Sequence, residues 1–224
     1  MPSVIQLKDL TKEYSQGDTV VHALNGINLT IEKGDFVAIM GPSGCGKSTL
    51  MHTLGFLDRP TGGEYLFNGK DTRTLDENSL AAIRNSSVGF IFQSFNLLPR
   101  TTVLENVLLP TAYASKVDAV AMKARALEIL KRVNLLHRID ARPNQMSGGE
   151  QQRAAIARAL INDPSLILAD EPTGNLDSKT SDEVMKLIKE INAEGNTILM
   201  VTHEDDVAQQ AKRIIRMKDG RIVS

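Results

Sequence analysis

The chain has 224 residues, is 42% hydrophobic, and sets 26 Lys and Arg against 27 Asp and Glu for a formal net charge of -1. Such a chain buries a sizeable core as one large domain or a domain plus a subdomain, and its balanced charge offers no global field for nucleic acid or an anionic membrane surface. Trp is absent, the single cysteine Cys45 excludes an intrachain disulfide and fits a reducing compartment, and no apolar run is long enough to span a bilayer.

The opening segment, MPSVIQLKDLTKEY, reaches charge too soon for a signal peptide. Short β-rich stretches are predicted around Ile5–Leu7 and Gly26–Ile31. Asp35–Met40 reads as a buried strand running into a glycine-rich turn, and a helix is predicted to start over Lys47–Leu54. Glu64–Phe67 followed by Asn68-Gly69 predicts a strand entering a turn, and Val88–Phe92 a further short strand. Val103–Leu109 and Ala119–Val133 carry helical spacing, so residues 94–145 are expected to form a helical subdomain closed by the breaker cluster Arg142-Pro143-Asn144. Alternation then resumes with strand Ser165–Ala169, helix Ser178–Ile191, strand Thr197–Val201 and helix Asp205–Ala211. Apolar strands between helices imply a parallel sheet covered on both faces. The expected fold is α/β: a core of residues 1–93 and 146–224 with an antiparallel β part, and the helical lobe inserted into it.

Gly41-Pro42-Ser43-Gly44-Cys45-Gly46-Lys47-Ser48 matches the phosphate-binding loop pattern in full, with a strand before it and a helix after it. Glycines let the backbone curl so that several N–H groups face one anion, and the helix N-terminus adds a favourable field. Lys47 brings a cation to the β- and γ-phosphates, the Ser48 hydroxyl can ligate Mg²⁺, and Thr49 follows on the same turn. Cys45, at a variable position, reads as a small space-filler. Leu166-Ile-Leu-Ala-Asp170-Glu171 is an apolar strand ending in two acids, as suits a sheet whose carboxyl edge faces a ligand. Asp170 is the natural Mg²⁺ partner, and Glu171 could polarise an attacking water.

Gln145-Met-Ser147-Gly148-Gly149-Glu150-Gln-Gln-Arg153 contains an S-x-x-E capping box, followed by glycines that expose helix N-terminal amides to an anion. This segment resembles the signature of ATPase subunits of ABC transporters, and the other elements of that family stand around it in order over essentially the whole chain. The resemblance implies a P-loop NTPase core of ABC ATPase type and an activity that hydrolyses ATP with Mg²⁺. It implies that Tyr14 stacks on adenine, with Val21 and His22 flanking the base, and that Gln93 touches Mg²⁺ and links nucleotide to the helical lobe. Asn175-Leu176-Asp177 resembles the loop that follows the hydrolytic strand, and His203 the histidine that senses the γ-phosphate.

The resemblance also implies a homodimer formed on ATP binding, in which Ser147, Gly148 and Gly149 of one subunit contact the γ-phosphate held by the other. The expected partners are integral membrane permease subunits on the cytoplasmic face of the inner membrane, without direct insertion of this chain and without nucleic acid. Two departures stand out. Met146 replaces the usual leucine, a volume-conserving change. Glu150 replaces the usual glutamine, adding a negative charge expected to weaken ATP affinity modestly. Gly55-Phe-Leu-Asp58-Arg-Pro60-Thr61, Phe92–Pro99, Leu104–Val107 and Glu171–Asp177 resemble the branch of macrolide-export and lipoprotein-release ATPases, which act by mechanical transmission. The sequence stops soon after Asp219-Gly220-Arg221, so no C-terminal regulatory domain is expected within it. Phe95, Leu97, Leu98, Val103, Leu104, Val107 and Leu108 are expected to form the core of the lobe, and in part to line a groove for a short helix of a permease. The alternative is a non-transport ABC ATPase of iron–sulfur assembly or division-linked type.

Overall fold

A computed structural model describes residues 3–17, 19–113 and 118–223. It holds two sheets. The first is antiparallel, with strands β1 (Ser3–Gln16), β2 (Thr19–Glu32), β4 (Gly62–Phe67) and β5 (Lys70–Asp71) in the order β2-β1-β4-β5. The second comprises β3 (Phe36–Met40), β6 (Val88–Phe92), β7 (Leu166–Asp170), β8 (Ile198–Val201), β9 (Arg213–Lys218) and β10 (Arg221–Ile222), in the order β10-β9-β3-β8-β7-β6. All its pairings are parallel except that of β10 with β9. The helices are α1 (Lys47–Leu54), α2 (Glu77–Ser87), α3 (Val103–Leu108), α4 (Ala119–Arg132), α5 (Gly148–Leu160), α6 (Ser178–Ala193) and α7 (Asp205–Ala208).

Period-two alternation divides the core into two layers. Phe36, Ala38 and Met40 of β3, Ile167 and Ala169 of β7, and Ile198 and Met200 of β8 face a cluster with α5, α6 and the helical lobe. Val37, Ile39, Leu166, Leu168, Leu199 and Val201 face the opposite cluster, built from α1 and the antiparallel sheet. Both faces are covered, so these strands are apolar throughout, as parallel strands between helices must be.

The expected β3, α1 and β6 lie where the sequence puts them, and the neighbouring strands and helices agree within a few residues. Three differences have physical causes. The two N-terminal strands run to 14 residues each, well beyond Ile5–Leu7 and Gly26–Ile31. Register shifts between Leu7 and Leu10 and between Lys12 and Glu13 break the alternation that would have marked them. Helix α2 was not anticipated, because Leu80 is its one buried residue and the Asp76 cap, accepting from Ser79 N at 2.8 Å, is its main start signal. Strands β9 and β10 likewise follow a helix shorter than predicted. After α7 the chain turns so that Lys212 N donates to Phe36 O at 2.9 Å, which begins the pairing of β9 with β3.

Within the segment 94–145, Thr102 and Glu105 form a reciprocal capping box at the start of α3. The buried Asn106 side chain accepts from Leu98 N at 2.7 Å and donates to Thr102 O at 2.9 Å, closing the turn that leads into α3. Val103 and Val107 pack with Ala126, Ile129 and Leu130 of α4 and with Ala154 and Ala157 of α5, and this cluster continues without a break to β7. Among the described residues no helix is long and apolar enough to cross a membrane.

Candidate active site

The carboxyl ends of β3, β7 and β8 converge on one edge of the parallel sheet, the place where open α/β sheets bind ligands. A cleft of about 1050 Å³ lies there. Of the residues predicted from sequence, Tyr14, Gly41, Pro42, Ser43, Gly44, Gly46, Lys47, Ser48, Thr49, Asp170, Glu171 and His203 line it, with Val21 and His22 beside them. Arg216 and Asp205 also line it; β9, which carries Arg216, was not anticipated from the sequence.

The loop from β3 to α1 is pinned from outside by contacts that its own sequence does not reveal. Gly220 N donates to Cys45 O at 3.0 Å, and Asn25 N donates to Gly220 O at 2.8 Å, so the β9–β10 turn ties the loop to β2. Gly46 takes φ +101°, and a Cβ there would lie 2.4 Å from Ala23 O. Only glycine satisfies both conditions. Lys47 Nζ donates to Gly41 O at 2.7 Å and to Pro42 O at 2.9 Å, which holds the ammonium inside the curl. Cys45 does not line the cleft. Its side chain is buried in the core shared with the antiparallel sheet, and that accounts for a small apolar residue at this position.

Asp170 and Glu171 end β7 side by side. Burial, and then the neighbouring Glu171 charge, push the Asp170 carboxyl above its ordinary value, against smaller opposing effects of His52 and Lys47. Glu171 adopts φ +44°, a sparsely populated conformation for a non-glycine residue. Its N–H donates to Val201 O at 2.9 Å, and its Oε1 lies 2.7 Å from His203 Nδ1. The bend turns the Glu171 carboxylate out of the sheet and against the imidazole at the end of β8.

Four other predicted elements lie apart from the cleft. Ser147 caps α5, accepting from Glu150 N at 3.3 Å while the Glu150 carboxylate accepts from Ser147 N at 2.8 Å. Gly148 and Gly149 pack against Leu176 and Thr180, where a Cβ on Gly149 would come within 2.3 Å of the Thr180 methyl. Asp177 caps α6, accepting from Thr180 N at 3.0 Å. Gln93 rests its side chain on Gly174, and its carbonyl accepts from Asn175 Nδ2 at 3.0 Å. The charge at Glu150 is not loose: Arg138 Nε donates to it at 2.9 Å, and hydrogen bonding from the Ser147 amide helps hold the carboxyl below its ordinary value. That pairing offsets the added charge expected to disfavour nucleotide. Met146 is buried, as a leucine substitute should be.

A second, more apolar groove of about 600 Å³ lies between α2, β6 and the segment 109–113. Val103 and Val107 turn inward onto α4 and α5, with Leu97, Leu104 and Leu108 packed against the same cluster, in line with the expected core role. The groove walls come instead from Leu57, Ala81, Ala82, Phe90, Phe92, Leu109, Pro110 and Tyr113. Tyr113 is 76% exposed and Leu57 49% exposed.

A glycine-curled phosphate loop, paired acids and a histidine on one edge of a parallel sheet, with a separately capped glycine-bearing helix start, define a P-loop nucleotide-hydrolysing domain of cassette type. The comparisons agree. Residues 24–174 match the family ABC transporter. The macrolide export ATP-binding/permease protein of Bdellovibrio bacteriovorus is 53% identical over 222 residues, 99% of this chain but 34% of that protein, so the chain spans about a third of that relative's length. An uncharacterized ABC transporter ATP-binding protein of Thermotoga maritima is 50% identical over 99% of this chain and 94% of its own length. The dimeric post-hydrolysis structure of the ATP-binding cassette MJ0796, bound to ADP and Pi, superposes with a TM-score of 0.89 at 46% identity, covering 98% of this chain and 97% of that one. The chain belongs to the ABC transporter family, as its ATP-binding, ATP-hydrolysing component. The transporter relatives favour this reading over a non-transport ATPase.

Proposed function

We propose that two copies of this chain close head to tail over two ATP molecules, and that closure and hydrolysis drive integral membrane permease subunits from the cytoplasmic face of the inner membrane. One observation carries this reading: the turn Ser147–Gly149, a capped helix start whose geometry suits an anion, lies outside the cleft that holds the phosphate loop of the same chain. A second molecule gives it a ligand.

In the closed dimer the P-loop amides and Lys47 grip the phosphates of one ATP, Tyr14 supports its base, and Ser147, Gly148 and Gly149 of the neighbour complete the γ-phosphate site. Asp177, capping α6 against the same turn, holds that half-site in shape. Mg²⁺ suits the site, because the raised Asp170 carboxyl sits beside a second acid and a cation would relieve their repulsion. Ser48 and Asp170 would hold it, and Gln93, which rests on Gly174 outside the cleft, would join as third ligand and link to the lobe only by turning in when the dimer closes. The metal would neutralise phosphate charge. Glu171 draws a proton from the attacking water, and His203 orients the carboxylate.

The helical segment 94–145 moves as a lobe on the core in response. The apolar groove beside it receives a short permease helix, and the mode of action resembles mechanical transmission in macrolide-export and lipoprotein-release machines.

Specific ATPase activity tests the pairing directly. It should fall with protein dilution as dimers dissociate. Ser147→Ala should keep ATP binding by the monomer while losing at least about tenfold in hydrolysis, the scale of a lost charge-assisted contact in a transition state. Dilute, strictly monomeric protein that hydrolyses ATP at full rate without Ser147 would refute the head-to-tail reading.

A further inference from the structure

Tyr14 brings an aromatic ring, 37% exposed, into the nucleotide cleft from the far part of the β1–β2 hairpin. That part of β1 lacks a partner on one side. Pairing with β4 ends at Thr11 opposite Gly62, while pairing with β2 continues through Tyr14 opposite Val21. A strand supported on one edge alone would let the ring wander.

The turn after α1 takes over the missing edge. Thr61 N donates to Thr11 O at 2.8 Å, and Glu13 N donates to Thr61 Oγ1 at 2.9 Å. At its centre stands Asp58. Tyr14 Oη donates to Asp58 Oδ2 at 2.6 Å, and Lys12 Nζ donates to Asp58 Oδ1 at 2.6 Å. Lys12 Nζ also donates to Arg59 O at 2.8 Å, and the Arg59 amide donates to Asp58 Oδ1 at 2.8 Å. The same ammonium lies 4.7 Å from the centroid of the Tyr14 ring, so a cation covers the ring while the hydroxyl is tied at its rim. The Lys12 side chain is only 12% exposed, so this bridge is partly shielded from water. Burial pushes the Asp58 carboxyl up, but Lys12, Tyr14 and the Arg59 amide outweigh it and leave it below its ordinary value.

We infer that Asp58 is a positioning residue for base recognition: through the Tyr14 hydroxyl and the Lys12 ammonium it fixes the ring on which the adenine of ATP stacks. The phosphate loop anchors the triphosphate whatever the base, so Asp58 governs the increment of affinity that the base adds. This rests on the cleft being the ATP site.

Equilibrium titration of Mg²⁺-ATP against Mg²⁺-inorganic triphosphate separates the two contributions. Tyr14→Ala should weaken ATP by at least about fivefold, the scale of a lost base–aromatic stack, and leave triphosphate unchanged. Asp58→Ala and Tyr14→Phe should each weaken ATP about two- to tenfold, again sparing triphosphate, and the double variant should be no weaker than Asp58→Ala alone. Asp58→Asn, whose amide oxygen can still accept from Lys12 and the Arg59 amide while its NH2 donates to the Tyr14 hydroxyl, should retain most of the affinity.

Equal loss for both ligands in Asp58→Ala would make Asp58 a general structural residue and overturn the proposal. So would additive losses in the double variant. If Asp58→Ala does not fold, Tyr14→Phe decides, and full ATP affinity there also overturns it. Should Tyr14→Ala itself leave ATP untouched, the base platform falls and Asp58 with it. That outcome is distinct from a working Tyr14 with an idle Asp58.

Discussion

Glu171→Gln should bind ATP with near wild-type affinity, accumulate as a stable dimer, and turn over about 10²- to 10⁴-fold more slowly. The substitution changes almost nothing but basicity. Glutamine has the same length, and its amide can still meet His203 Nδ1, which lies 2.7 Å from the Glu171 carboxylate. The backbone bend at φ +44° is held by the Glu171 N–H bond to Val201 O at 2.9 Å, which the side chain does not enter. Fold and phosphate grip therefore survive, and the proposed proton acceptor is removed. On the proposed cycle, in which ATP binding closes the dimer and hydrolysis opens it, the variant should remain closed. Single-turnover hydrolysis together with size-exclusion chromatography in ATP reads both effects. Wild-type turnover would show that another group activates the water. His203→Ala should also slow hydrolysis, because it frees the carboxylate that the imidazole orients.

The chemistry of the site was more legible in the sequence than its support. Motifs with a fixed local geometry carried over directly: a strand–loop–helix with glycines at set positions, and an apolar strand ending in two acids, are local objects. Burial on both faces made β3, β7 and β8 continuous apolar runs, so the sheet was legible as well. What sequence did not reveal depends on distant partners. The pairing of Gly220 with Cys45, the brace of Asp58 on Tyr14 and the neutralisation of Glu150 by Arg138 join residues far apart in the chain or outside any motif. Strand β9, between β3 and the two-residue β10, mixes exposed and buried residues and offered only a weak pattern. The lobe is a related case: the sequence marked its apolar residues, but only the packing shows that Val103 and Val107 turn onto α4 and α5.

The phosphate loop should be the least tolerant part of the molecule, and its glycines should not be equal. At Gly44, φ is +77° and a Cβ would meet nothing within 4 Å. Gly44→Ala therefore costs only the left-handed conformation, about 1–2 kcal/mol, or roughly a tenfold loss of ATP affinity if all of it falls on the loop. At Gly46, φ is +101° and the added methyl would also press to 2.4 Å from Ala23 O. That oxygen belongs to the backbone of β2 at the irregularity between the paired His22 and Leu24, and, flanked by those pairs, it cannot yield as a side-chain tip could. The loop must move instead, and Lys47 and the first amides of α1 follow directly from Gly46. Gly46→Ala should therefore lose at least about 100-fold in ATP affinity, comparable to Lys47→Ala, which removes the cation that serves the phosphates. Titration with ATP, beside thermal melts to show that each variant folds, distinguishes these outcomes. If Gly46→Ala binds ATP as well as Gly44→Ala does, the contact with Ala23 does not shape the loop, and conformational freedom alone explains the glycines.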